Sequence, residues 1–169
     1  MSHKSFFQVN RFLVDRMVEC ALAGASGGTA LDLYAGVGLF TLGLARKFEK
    51  VTGVESDASA ARDLEFNAER AGVKLKAQRM QSEQYLEEAT KTPDFVLADP
   101  PRAGLGKGVV KHLLRLAPER ITVVSCDPST QARDVAMLAA GGYRLERLAV
   151  LDLFPQTYHV ETVAGLVKA

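Results

Sequence analysis

The chain has 169 residues, enough to bury the core of one domain but short for several. Its 47% hydrophobic and 24% charged residues are the balance of a folded globular domain, which excludes a disordered or low-complexity chain. A net charge of +1 excludes the basic excess with which a stand-alone nucleic-acid binder neutralises phosphates.

The elements alternate from the start. Val9, Phe12, Leu13, Met17, Val18 and Ala21 recur at helical spacing and predict a helix over 8–23, closed by the small-residue turn Gly24–Gly28. A short apolar strand, Thr29–Leu33, precedes a helix over 38–47. A second strand, Lys50–Val54, leads to a helix over 57–71 that Gly72 stops. Strand 74–79, helix 82–89, strand 94–98, helix 109–116, strand 121–125 and helix 130–140 follow. Gly141-Gly142 ends the last helix, and two strands remain, 143–153 and 160–167. The link between those two is too short for a parallel crossover, so they are expected to run antiparallel. No repeat or linker interrupts the pattern. The fold class is therefore α/β and Rossmann-like, one domain over 1–169, with a mostly parallel seven-stranded sheet and a C-terminal antiparallel pair.

No apolar run is long enough to cross a bilayer, and the polar N-terminus lacks the pattern of a secretory leader. Two cysteines, Cys20 and Cys126, build neither a disulfide framework nor a cysteine-rich metal site. A cytoplasmic setting, without membrane or metal, is expected.

Doubly wound sheets bind ligands at the carboxyl ends of their strands. Tyr34, Glu55, Asp99 and Cys126 all fall there. In Tyr34-Ala35-Gly36-Val37-Gly38, glycines Gly36 and Gly38 let backbone approach a ligand closely. Glu55 stands about twenty positions on, where a carboxylate can accept from both hydroxyls of a ribose. A dinucleotide fingerprint would carry a third glycine where this chain has Thr41. A ligand with a ribose and no pyrophosphate fits better, and S-adenosyl-L-methionine is the candidate. Asp32 reads equally as a polar residue satisfied by backbone amides or as a support of the glycine turn. Asp99-Pro100-Pro101 is a turn stiffened by proline, able to hold its carboxylate rigidly.

Cys20 falls on the apolar stripe of its helix and reads as a buried structural thiol. Cys126 differs, because it ends a strand just before a helix, whose positive terminus favours thiolate. By position alone, a structural thiol and a nucleophile remain equal readings. Glu161 lies in the apolar run His159-Val160-Glu161-Thr162-Val163. By alternation it faces solvent; if buried, its pKa rises and suits proton transfer. His159 reads as a hydrogen-bonded structural residue, with a base as the alternative.

These residues carry a resemblance. Ser5-Phe6-Phe7-Gln8-Val9-Asn10, Leu31-Asp32-Leu33-Tyr34-Ala35-Gly36-Val37-Gly38, Asp99-Pro100-Pro101-Arg102-Ala103-Gly104, Ser125-Cys126-Asp127-Pro128, and Asp152-Leu153-Phe154-Pro155-Gln156-Thr157 with His159-Val160-Glu161 run in one order over nearly the whole chain. In them the chain resembles the catalytic domain of bacterial RNA uracil-5-methyltransferases, which make 5-methyluridine in transfer and ribosomal RNA. The resemblance implies a class I S-adenosylmethionine-dependent methyltransferase fold. It implies Cys126 as nucleophile, Glu161 as general base, and Gln8, Tyr34, Glu55 and Asp99 as cofactor contacts, with Gln8 and Asp99 also near the target base. Family members often have Cys at Ala35 and Asn at Asp127; a carboxylate beside Cys126 opposes thiolate formation.

Full-length members also carry a central domain and often an N-terminal β-barrel that binds RNA. This chain begins almost at the Phe-Gln motif, so it is expected to be the catalytic part of a longer protein, monomeric, and a weak binder of its tRNA or rRNA substrate alone. The nearest enzyme rival is an amino-group methyltransferase of adenine or guanine, which would place an aromatic residue where this chain has Arg102. The rival from another class is a cofactor-binding module inactive alone.

Overall fold

The computed structural model describes residues 11–153, 156, 157 and 160–169. Gln8, His159 and the start of the first expected helix lie outside them. Helix α1 runs Arg11–Ala21 and strand β1 Thr29–Leu33. They are followed by α2 (Thr41–Leu44), β2 (Lys50–Glu55), α3 (Ala58–Ala71), β3 (Lys76–Arg79) and α4 (Ser82–Glu88). The second half holds β4 (Phe95–Ala98), α5 (Gly106–Leu116), β5 (Arg120–Ser125), α6 (Pro128–Ala140), β6 (Tyr143–Leu151) and β7 (Glu161–Lys168).

The seven strands form one sheet in the order β3-β2-β1-β4-β5-β7-β6. Strands β1 to β5 pair in parallel. Strand β7 runs antiparallel to both β5 and β6, so it alone is reversed. The order changes direction at β1, and the connections after β1 and β4 leave on opposite sides of that point, which opens a crevice at the carboxyl ends.

The strands alternate between two cores, as a sheet covered on both faces requires. In β4, Phe95 and Leu97 face the core beneath α1 and α2, while Val96 and Ala98 face the one beneath α4, α5 and α6. Met17, Leu44 and Phe95 are fully buried on the first face, and Leu33, Leu113 and Leu138 on the second.

Several boundaries depart from the sequence expectation for identifiable reasons. Asp94, expected to open β4, precedes it. Its carboxylate accepts from the Gly28 and Thr29 amides and the Thr29 hydroxyl at 2.8–2.9 Å, which ties the entry of β4 to that of β1. Three donors hold its pKa below the usual range. Helix α2 is regular only over Thr41–Leu44, with looser turns on either side in place of a helix over 38–47. Helix α5 begins at Gly106, three residues before the expected Val109, because a tertiary contact anchors its start: the Leu105 amide donates to Asp134 Oδ2 at 2.7 Å. Helix α6 starts at Pro128 on the cap Asp127, whose carboxylate accepts from the Thr130 amide at 3.0 Å. Strand β6 stops at Leu151, two residues short of the expected end.

Candidate active site

Strand order sets the order of the candidate groups along one sheet edge. Glu55 ends β2, Tyr34 follows β1, Asp99 follows β4 and Cys126 follows β5. Glu161 opens β7, and because β7 is reversed its first residue lies at this same edge. Adjacent strands lie about 4.8 Å apart, so the five groups spread over roughly 19 Å. The pairing Ser125↔Thr162 closes the β5–β7 ladder. Cys126 lies one residue past the end of β5 and Glu161 one residue before Thr162, so both stand at the end of this strand pair.

The glycine turn is built from left-handed backbone. Tyr34 has φ +62° and Gly36 has φ +53°. At Tyr34 a side chain bears that strain, which occurs where surrounding structure enforces it. The Tyr34 ring packs on the core beneath α4 and α5 beside Ser82, and burial raises its pKa. At Gly36 the space that a Cβ would fill is open. The Gly36 amide donates to Glu55 Oε2 at 2.8 Å, and the Asp57 amide donates to Oε1 at 2.7 Å. Glu55 thus braces the turn; the Ser56 hydroxyl also donates to Oε1 at 3.5 Å, and Oε2 keeps a lone pair for a further donor. An open cradle over Gly36 beside such a carboxylate fits the ribose of S-adenosylmethionine.

Asp32 lies behind the turn. It is buried, and its Oδ2 accepts from the Thr41 hydroxyl at 2.5 Å, not from backbone amides. Thr41, the residue in place of a third glycine, therefore serves the turn from beneath. Asp32 Oδ1 has no partner among the described residues. Burial, opposed by the Thr41 bond and reinforced by the charges of Asp99 and Glu55, pushes Asp32 up to about 7.

Burial also pushes Asp99 up to about 6. Glu161 is 5% exposed, which decides against a solvated face. Burial first, and then the charge of Asp99, push it up to about 7. Asp127, beside Cys126, is engaged as the α6 cap. Cys126 is half-buried and Cys20 likewise, the latter against the α1 side of the core.

Two residues of α6 support the edge without any local signal. Asp134 is buried and accepts from Leu105, anchoring the loop that carries Asp99. Gln131 is buried and its amide donates to the carbonyl oxygens of Val123 at 2.8 Å and Thr162 at 3.2 Å. Both read in sequence as ordinary polar positions of an amphipathic helix.

Gly104 lets the Asp99 loop close on α6. It has φ +82°, and a Cβ there would collide with Asp134, Thr130 and Arg133 side chains. Gly104→Ala should cost about 1–3 kcal/mol in urea unfolding, the scale of a strained left-handed residue. Unchanged stability would show that the loop has another arrangement available.

The model of the tRNA (Uracil-5-)-methyltransferase family matches residues 1–169. The chain belongs to that family. It is 42% identical over 166 residues to 23S rRNA (uracil(1939)-C(5))-methyltransferase RlmD of Aeromonas hydrophila, covering 94% of this chain and 38% of that protein. It is 39% identical over 172 residues to an uncharacterized RNA methyltransferase of Thermotoga maritima, covering 97% and 38%. The crystal structure of the Pyrococcus abyssi tRNA (uracil-54, C5)-methyltransferase in complex with S-adenosyl-L-homocysteine superposes with TM-score 0.88 at 40% identity, covering 97% of this chain and 40% of that one. The chain thus spans about two-fifths of the length of these three relatives. A Geobacter metallireducens precorrin-6y C5,15-methyltransferase, 12% identical with TM-score 0.75, shares the class I methyltransferase fold alone.

Proposed function

We propose that this chain is the catalytic part of an enzyme that methylates carbon 5 of a uridine in tRNA or rRNA. The observation that supports the reading is the β5–β7 pairing, which brings the strand ends that carry Cys126 and Glu161 to the edge that also holds Glu55 and Asp99. Neither the cofactor loop nor the cysteine alone would distinguish this chemistry from amino-group methylation, which needs no thiol nucleophile.

Carbon 5 of uracil is a weak nucleophile. The Cys126 thiolate adds to carbon 6, and the electron pair of the 5,6 double bond moves toward carbon 5 and the 4-carbonyl. S-Adenosylmethionine, when bound, supplies a methyl group on a sulfonium. Carbon 5 takes that methyl, and the demethylated thioether leaves. Glu161, as carboxylate, removes the remaining carbon-5 proton; the double bond reforms and the thiolate departs. A pKa near 7 suits a base that must accept this proton and release it to solvent. Glu55 would accept from the ribose, Gly36 and Gly38 would admit the donor closely, and the rigid Asp-Pro-Pro turn would set Asp99 between donor and target. Gln8 belongs to the same proposed cofactor contacts. A paired or stacked target base must be splayed out to reach Cys126.

Calorimetry tests the donor pocket. The parent should bind S-adenosylmethionine, and Glu55→Ala should weaken binding by about 1–3 kcal/mol, the cost of losing a charged acceptor. Equal affinity in the variant would overturn the role of Glu55. A folded parent that does not bind the cofactor would overturn the donor assignment.

A further inference from the structure

We infer that Gln131 is a positioning residue that fixes the spacing of nucleophile and base, by clamping β5 to β7 next to the strand ends that carry them. The inference rests on the proposed roles of Cys126 and Glu161.

The two groups belong to different chain segments, and the strands that carry them end at the edge. Cys126 has left the ladder, and Glu161 is the first residue of β7. A free ladder end frays more easily than its middle. Gln131 counters this from the α6 side. Its single Nε2 donates to Val123 on β5, three residues before Cys126, and to Thr162 on β7, directly after Glu161. Both hydrogens of one amide are thereby engaged across the strand pair. The Thr162 hydroxyl adds a second tie, donating to the Ser125 carbonyl at 3.0 Å. Gln131 is held in turn by its place in α6, whose cap Asp127 adjoins Cys126. One side chain therefore links the nucleophile's strand, the base's strand and the helix between them.

Gln131 also lines an apolar groove of about 400 Å³ between α6 and strands β6 and β7, with Pro128, Val135, Leu148, Val150 and Val160. An apolar side chain of similar size would match that lining but give no donor to the Val123 and Thr162 carbonyls.

The test uses Gln131→Met, close in length and without a donor, in the complete natural polypeptide containing these residues. Attack at carbon 6 needs Cys126 alone, whereas resolution of the adduct needs Glu161 correctly spaced from it. The variant should lose about tenfold or more in turnover, as misplacement of a reacting group does. S-Adenosylmethionine affinity should stay within about twofold of the parent, because the donor contacts lie on other strands, and the covalent protein–RNA adduct should form a larger share of active enzyme. Leu138→Ala, which opens the core on the same helix, is the control for lost stability. It should lower the melting temperature without changing the adduct share. Parent-like turnover in Gln131→Met overturns the inference. So does lost turnover with an unchanged adduct share, since that is the mark of a merely structural residue. If Gln131→Met does not fold, Gln131→Asn, which keeps the amide but falls short of the carbonyls, is read by the same criteria. Failure of the underlying reading is distinct: Cys126→Ala would then retain activity and the parent would form no adduct.

Discussion

Cys126→Ala should abolish both uridine methylation and the covalent protein–RNA complex. On the proposed mechanism, carbon 5 is not activated without addition of this thiolate at carbon 6. Glu161→Gln should behave differently. Attack and methyl transfer remain open to it, but loss of the carbon-5 proton does not. Elimination should slow by about 10²–10⁴-fold, the usual contribution of a positioned base. A methylated adduct should accumulate, visible as a band of reduced mobility on denaturing gels that survives heating in detergent. On the proposed role of Glu161, its titration should also set the pH profile. Its folded pKa is about 7, so the competent carboxylate is lost as pH falls through 7, and turnover should decline about tenfold per pH unit below it. Full activity in Cys126→Ala would refute nucleophilic catalysis. A Glu161→Gln enzyme that neither turns over nor forms adduct would refute the base assignment.

Asp32→Asn should reverse its effect on stability between acid and mildly alkaline solution. Burial raises the Asp32 pKa from 3.8 to about 7, so the folded state holds the proton more tightly than the unfolded chain. That contribution is complete below about pH 4 and is lost as pH rises to 7. At about 1.36 kcal/mol per unit, the parent should lose about 2–3 kcal/mol from this group between pH 5 and pH 8. The amide has no such titration. Relative to the parent, the variant should therefore gain that amount over the same interval in urea unfolding. Its amide nitrogen would replace the unpartnered Oδ1 or the acceptor of Thr41, at a cost of about 1–3 kcal/mol present at both pH values. The difference between the two pH values isolates the charge. A gap that does not move with pH would mean that water or a donor already solvates Asp32.

Much of this site was legible because its signals are local. Tyr34, Asp99 and Cys126 each follow a short apolar strand and precede glycine or proline, and period-two alternation marks such ends well. Asp127-Pro128 announced a helix start, although the regular helix was expected two residues later. What was not legible depends on pairing. The antiparallel partnership of β6 and β7 follows from their short link, but the insertion of β7 between β5 and β6 does not, and that insertion brings Glu161 to the sheet edge where β5 ends. Burial of Glu161 followed only from the same placement. Asp134 and Gln131 were lost within a helical pattern, because nothing local distinguishes a polar residue facing carbonyls from one facing water. The partner of Asp32 likewise required α2 to fold back over β1.

The reversed strand β7 also fixes an order of assembly. During synthesis the glycine turn at Tyr34–Gly38 emerges first, then the Asp-Pro-Pro turn, then Cys126, and Glu161 only last of the four. Each parallel strand up to β5 docks beside one already made, yet β7 must enter between β5 and β6 across some forty residues of chain. Such a long closure is slow compared with the local pairing of β6 and β7, so the two are favoured to arrive as a preformed hairpin. If Cys126 and Glu161 act as proposed, a nascent chain would carry the thiol and the donor pocket before it carried the group that releases a captured uridine. Docking of the β6–β7 hairpin would then be the event that separates a trap for RNA from an enzyme that turns over.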